Sequence, residues 1–150
     1  MTATRPLIRL MFRGCLAKDA RDRVRALVER LRSRTRRPVS IWVVPNPAVG
    51  DGTGARGATG FGMTRWYPGD PRVYICVAAG VVGVCREHGM TRDEGLATLE
   101  ETVCHEWLHY EDLCAKRRML NCGVVRGAAE RMERRARALR RELLIGWRRP

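Results

Sequence analysis

The 150-residue chain has no uninterrupted apolar run near the length of about 18 residues that marks a transmembrane helix. Its apolar N-terminal stretch, Leu7–Leu16, is broken by Arg9 and Arg13 and does not read as the core of a secretory signal. None of the six cysteines (Cys15, Cys76, Cys85, Cys104, Cys114 and Cys122) stands in C-x-x-C spacing, which excludes a zinc ribbon or a thioredoxin-like motif. The five glycines from Gly50 to Gly60 are not followed by Gly-Lys-Ser/Thr, so they do not form a phosphate-binding loop. No internal repeat is visible. Lysine is nearly missing, with only Lys18 and Lys116 among 29 basic residues. These absences lead us to expect a cytoplasmic protein with mostly reduced and buried thiols and no membrane partner.

What is present is a formal charge of +13 and a 45% hydrophobic content. That apolar share supports a packed core, and the length suits one domain over 1–150, with 1–15 as an N-terminal arm or first strand. The arginine excess reflects either a coding bias on a solvated surface or attraction to polyanions such as nucleic acid. Leu16, Ala20, Val24, Leu27, Val28 and Leu31 recur at helical spacing, and Arg32–Pro38 ends that helix. The β-branched run Val39–Val44 reads as a buried strand. Ala58–Trp66 reads as a strand punctured by glycine, Tyr67–Pro71 as a turn, and Arg72–Ala79 as a further strand. Thr91 and Glu94 fit a capping box that opens a helix running to about Leu113. After a break at Asn121–Gly123, a last helix spans about Val125–Leu144 with Ala129, Met132, Ala136, Leu139 and Leu143 as its apolar stripe. The fold expected is α+β, a small mixed sheet packed on helices.

One motif carries chemistry. His105-Glu106-Trp107-Leu108-His109 matches H-E-x-x-H, and it contains two of the chain's three histidines. Residues four apart on a helix lie one turn above each other, so two imidazoles can share one tetrahedral metal ion. Glu106 is then placed to take a proton from a metal-bound water as general base.

The segment TVCHEWLHYEDL resembles the active-site helix of zincin metallopeptidases, and more narrowly the small gluzincin and SprT-like types of bacteria, archaea and phages. The resemblance implies Zn2+ as cofactor, an active-site helix beneath a small sheet, and a peptide or protein substrate lying along an edge strand. Arg72–Ala79, directly before the active-site helix, is the candidate for that strand. A downstream histidine ligand, as in metzincins and SprT-like proteins, is impossible because no histidine follows His109. The gluzincin pattern takes a glutamate from the following helix, here Glu130 or Glu133. Glu130, 21 residues after His109 and beside Ala128 and Ala129, is favoured. The metal set expected is therefore His105, His109 and Glu130, with Glu106 catalytic. The N-E-x-x-S-D pattern of larger gluzincins is absent, and no Tyr or His follows Tyr110. Oxyanion stabilisation would fall to another donor, such as Arg126 or Tyr110. Glu111 and Asp112 are candidates to orient a ligand histidine. His88 reads as a loop residue. A different class of reading, motivated by the Arg-rich last helix, is a basic nucleic-acid-binding module that uses the zincin scaffold structurally or is inactive.

Overall fold

The run Val39–Val44 forms the strand that its β-branched composition predicts, with strands on both sides of it. The computed structural model describes residues 7–49, 60–116 and 127–145. Within them β1 (Ile8–Phe12), β2 (Val39–Val44), β3 (Gly62–Trp66) and β4 (Val73–Ala78) form one mixed sheet in the order β1-β2-β4-β3. β1, β2 and β4 are parallel, and β3 runs antiparallel to β4. Four helices accompany them: α1 (Lys18–Leu31), α2 (Val81–Glu87), α3 (Arg92–Cys114) and α4 (Ala128–Leu144). The architecture is α+β. No described helix is long and apolar enough to cross a membrane.

Side chains alternate across a strand, and here the alternation decides which face meets the helices. Val39, Ile41 and Val43 of β2 and Val73, Ile75 and Val77 of β4 are buried in one cluster with Val24 and Leu27 of α1 and Leu99 and Trp107 of α3. Ala20, Val24, Leu27, Val28 and Leu31 of the stripe expected on α1 are buried, while Leu16 precedes the helix and is half-buried. The capping box of α3 closes in both directions: Glu94 N donates to Thr91 Oγ1 at 3.2 Å, and Thr91 N donates to Glu94 Oε2 at 2.6 Å. On α4, Met132, Ala136, Leu139 and Leu143 are buried as expected, with Ala128 in place of Ala129. The expected break at Asn121–Gly123 and most of the glycine-rich loop lie outside the described residues.

One expectation changes. Arg72–Ala79 is not an edge strand. The chain turns back at Tyr67–Pro71, where Asp70 N donates to Tyr67 O at 3.1 Å and Gly69 takes φ +81°. The return strand β4 inserts between β2 and β3, so both of its edges are paired. β1 and β3 are the edge strands of the sheet, and β3 lies against α3. Of the two readings of the N-terminal segment, arm or first strand, the strand is the one found: β1 pairs with β2 in parallel register from Ile8↔Val39 to Phe12↔Val43. Parallel pairing requires a crossover, and α1 provides it. Helix α2 was not anticipated; seven mostly apolar residues with Gly83 inside give no helical period.

Helix α3 is tied to α1 and α4 by a buried polar knot. The Arg23 guanidinium donates to Glu100 Oε1 through Nε at 2.9 Å and again through a terminal nitrogen, and to Asp93 at 2.8 Å. Arg140 of α4 donates to the same Glu100 oxygen at 3.3 Å. Glu100 is 2% exposed and Arg23 8%. Removing one partner of a buried pair strands the other charge. Glu100→Ala is therefore expected to lower stability by about 3–5 kcal/mol in chemical denaturation.

Candidate metal centre

His105 and His109 stand four residues apart on α3 and share one face, with ring centroids 5.0 Å apart and the rings inclined at 61°. One ligand atom from each of His105, Glu106 and His109 lies within 4.8 Å of the other two. Glu106 and His109 are buried, and His105 is half-buried.

The cover over Glu106 is β3, and its approach is closest at Gly62. A Cβ there would stand 2.5 Å from Glu106 Cγ and 2.7 Å from Oε1. Only glycine leaves room for the carboxylate. Two residues on, the Thr64 hydroxyl donates to Glu106 Oε2 at 2.6 Å. Sequence reading noted glycines in this strand without giving Gly62 a purpose. It missed Thr64, whose type and spacing carry no signal.

Burial sets the protonation states. It pushes the Glu106 carboxyl up to about 7, with the Thr64 hydrogen bond holding it down in part. It pushes His109 down to about 4, an effect the neighbouring His105 and Arg135 deepen and Asp112 opposes. Burial also lowers His105, and the charge of Glu133 opposes that. Two imidazoles held neutral are in the form that binds metal. A carboxyl titrating near neutrality is matched to proton transfer. The donor set thus fits a divalent ion of the kind that takes nitrogen and oxygen ligands.

The other expected residues fall as follows. Glu130 and Glu133 are both exposed, and neither belongs to the clustered group. At about 100° per residue, Glu130 lies roughly opposite the buried stripe of α4, whereas Glu133 lies on its flank. Glu133 is also the acid whose charge reaches His105. Asp112 acts on His109 and pairs with Arg135 at 3.3 Å, as a residue supporting a ligand would. Glu111 instead accepts from Trp107 Nε1 at 3.0 Å and from Arg34 Nε at 2.7 Å. The Tyr110 hydroxyl is engaged elsewhere: it donates to Arg37 O and accepts from the Arg36 and Arg37 backbone N–H groups, all within 2.9 Å. It is not placed to stabilise an oxyanion. Arg126 lies outside the described residues. His88 caps the end of α2, with Nδ1 2.9 Å from Val84 O. Cys104 is buried and its thiol is pushed up to about 12, so it is a packing group.

Comparison with protein-family models, with curated proteins and with solved structures finds no match for this chain.

Two outcomes follow from this geometry. Gly62→Ala forces the Glu106 side chain off the Thr64 hydroxyl, with an expected cost of about 1–3 kcal/mol in urea denaturation. In chelator-treated protein the buried groups also oppose each other across pH. His109, lowered from 6.5 to about 4, makes the fold lose stability as pH falls through that window. Glu106, raised from 4.5 to about 7, makes it lose stability as pH rises through that one. Glu106→Gln removes the second effect. The metal-free variant should therefore gain stability relative to the parent as pH rises from 4.5 to 7, read as the shift in urea midpoint.

Proposed function

We propose that the chain is a zinc-dependent peptide-bond hydrolase of zincin-like design. The observation that carries this reading is Glu106, a buried carboxyl titrating near 7, set on one helix face with two neutral imidazoles and directly beneath an edge strand. His105 and His109 would hold the ion. Glu133 is the better third ligand than Glu130, because it stands on the flank of α4 and its charge reaches His105. A bound divalent ion supplies Lewis acidity, which lowers the pKa of water and polarises a carbonyl.

The remaining chemistry belongs to the chain. Glu106 accepts the proton of the attacking water and returns it to the leaving amine, a role for which a pKa near 7 suits it in both directions. Thr64 holds one carboxylate oxygen and leaves the other for the proton. β3 presents its unpaired edge among the described residues, so an extended peptide can add to it as a further strand. The exposed rings of Phe61 and Trp66 lie at its two ends and offer apolar surface to substrate side chains.

The test combines metal analysis by plasma mass spectrometry with cleavage of a quenched peptide library. The expected result is about one zinc per chain, with cleavage abolished by chelator. Glu106→Gln should keep zinc and lose at least about 100-fold in rate. Glu133→Ala should weaken zinc binding about 10- to 100-fold, while Glu130→Ala leaves it unchanged. A protein that takes up no zinc after reconstitution would sink the reading.

A further inference from the structure

Strand alternation leaves the second face of the sheet without a helix among the described residues. α1 contacts β1, and α3 contacts β3 and β4, through the face that carries the core. Sheets built on parallel strands are ordinarily covered on both faces, so an open one calls for an occupant. Its centre is a row in register across all four strands: Met11, Trp42, Cys76 and Met63. None of the four is fully buried.

The rim of this row is basic. Arg13 lies over the Trp42 ring, its guanidinium carbon 3.9 Å from the ring centroid. Arg9 shares its side of β1 and is exposed. Arg65 stands at the β3 edge with its Nε 3.1 Å from Met63 Sδ, and Arg72 reaches over Ser40 at 3.1 Å. Met63 pairs with Cys76, and Arg65 stands two residues on in β3, so alternation puts Arg65 on the Cys76 side of the sheet; Arg13 lies over Trp42, the partner of Cys76 in β2. None of the four strands contains Asp or Glu. The nearest acid in the adjoining turn, Asp70, is bonded to the Tyr74 hydroxyl and the Arg72 backbone N–H.

We propose that this open sheet face binds single-stranded nucleic acid. The arginines supply phosphate contacts, and Trp42 with its stacked Arg13 and the half-exposed Tyr74 supply flat surfaces on which unpaired bases stack. Three strand spacings of about 4.8 Å make a floor roughly 15 Å wide, room for a few nucleotides. The composition of the face selects this ligand over an acidic peptide, which would use the charges but not the rings. It also selects this surface over the Arg-rich α4. There, Glu130, Glu133 and Glu142 interleave the arginines, Arg135 pairs with Asp112, and Arg140 pairs with Glu100. The proposal is independent of the peptidase reading.

Fluorescence anisotropy with labelled oligo-dT and oligo-U, on the full chain, tests it and tells DNA from RNA. The expected result is micromolar binding of one or both at low salt, weakening steeply as salt rises. Arg9→Glu with Arg13→Glu should weaken it by at least about tenfold and flatten the salt slope by about 1.4, the share of two phosphate contacts. Arg134→Glu with Arg137→Glu on α4 makes the same change in net charge and should cost less than about threefold. Trp42→Leu should weaken binding about tenfold through lost stacking. On the unaltered protein, photocrosslinking with bromouracil oligonucleotides should mark peptides of β1, β2 and β4, which holds the test open if a variant misfolds. Equal loss in the α4 variant, crosslinks confined to α4, equal affinity for duplex DNA, displacement by polyglutamate at equal charge concentration, or no binding at all would each overturn the proposal.

Discussion

A carboxylate is costly to bury, and at this site the cost is met in a specific way. Glu106 is 5% exposed, its carboxyl pushed up to about 7, and it accepts a hydrogen bond from the Thr64 hydroxyl of the neighbouring strand. That arrangement depends on how near β3 comes to α3. Any side chain at Gly62 larger than hydrogen would collide with Glu106, and a retreat of the strand would open the carboxyl to water and lower its pKa. The separation of one strand from one helix thus sets both the shape and the proton affinity of the site. The imidazoles respond to the same exclusion of water with the opposite shift, as bases must.

Helix α3 keeps that separation because it is fastened at three levels along its 23 residues. Near its start, Glu100 binds arginines from both α1 and α4. In the middle, Trp107 is fully buried, and its indole N–H reaches Glu111, itself held by Arg34. Directly after His109, the Tyr110 hydroxyl takes up two backbone N–H groups and one carbonyl from the segment that leads into β2. These contacts lie on the faces of α3 turned away from His105 and His109. A helix fixed this way cannot rotate to relieve strain at the histidines, so a ligand pair four residues apart stays aligned.

How much of this was legible in the sequence depends on the range of the signal. The capping box, the α1 stripe and the strand at Val39–Val44 are written in neighbouring residues, and they appear where they were expected. H-E-x-x-H is equally local, so His105, Glu106 and His109 came together on one face. The order of the strands is not local. Whether the strand after Pro71 lies at the edge or inside depends on β1 and β2, and nothing within Val73–Ala78 states it except its near-continuous apolar character, which is the mark of a strand covered by neighbours. Spacing alone does not separate Glu130 from Glu133, for a related reason. Spacing from His109 said nothing about rotation around α4, whereas the buried stripe Met132, Ala136 and Leu139 does. Thr64 was illegible because a threonine in a strand has no period or pattern that predicts its partner.

Strand β3 joins the two surfaces for which function is proposed. Its even-numbered residues Gly62 and Thr64 face Glu106, while Met63 and Arg65 face the open side of the sheet. The pairing Met63↔Cys76 and Arg65↔Tyr74 fixes which set goes where. A slip of one residue would turn Met63 and Arg65 toward the site, remove the glycine cleft and put a guanidinium against a carboxyl that needs isolation from charge to titrate near 7. The same slip would take Arg65 off the basic rim. Because both surfaces read one register, a single strand pairing protects both. A ligand on the open face and a peptide on the outer edge of β3 would approach that strand from different directions, so neither need displace the other.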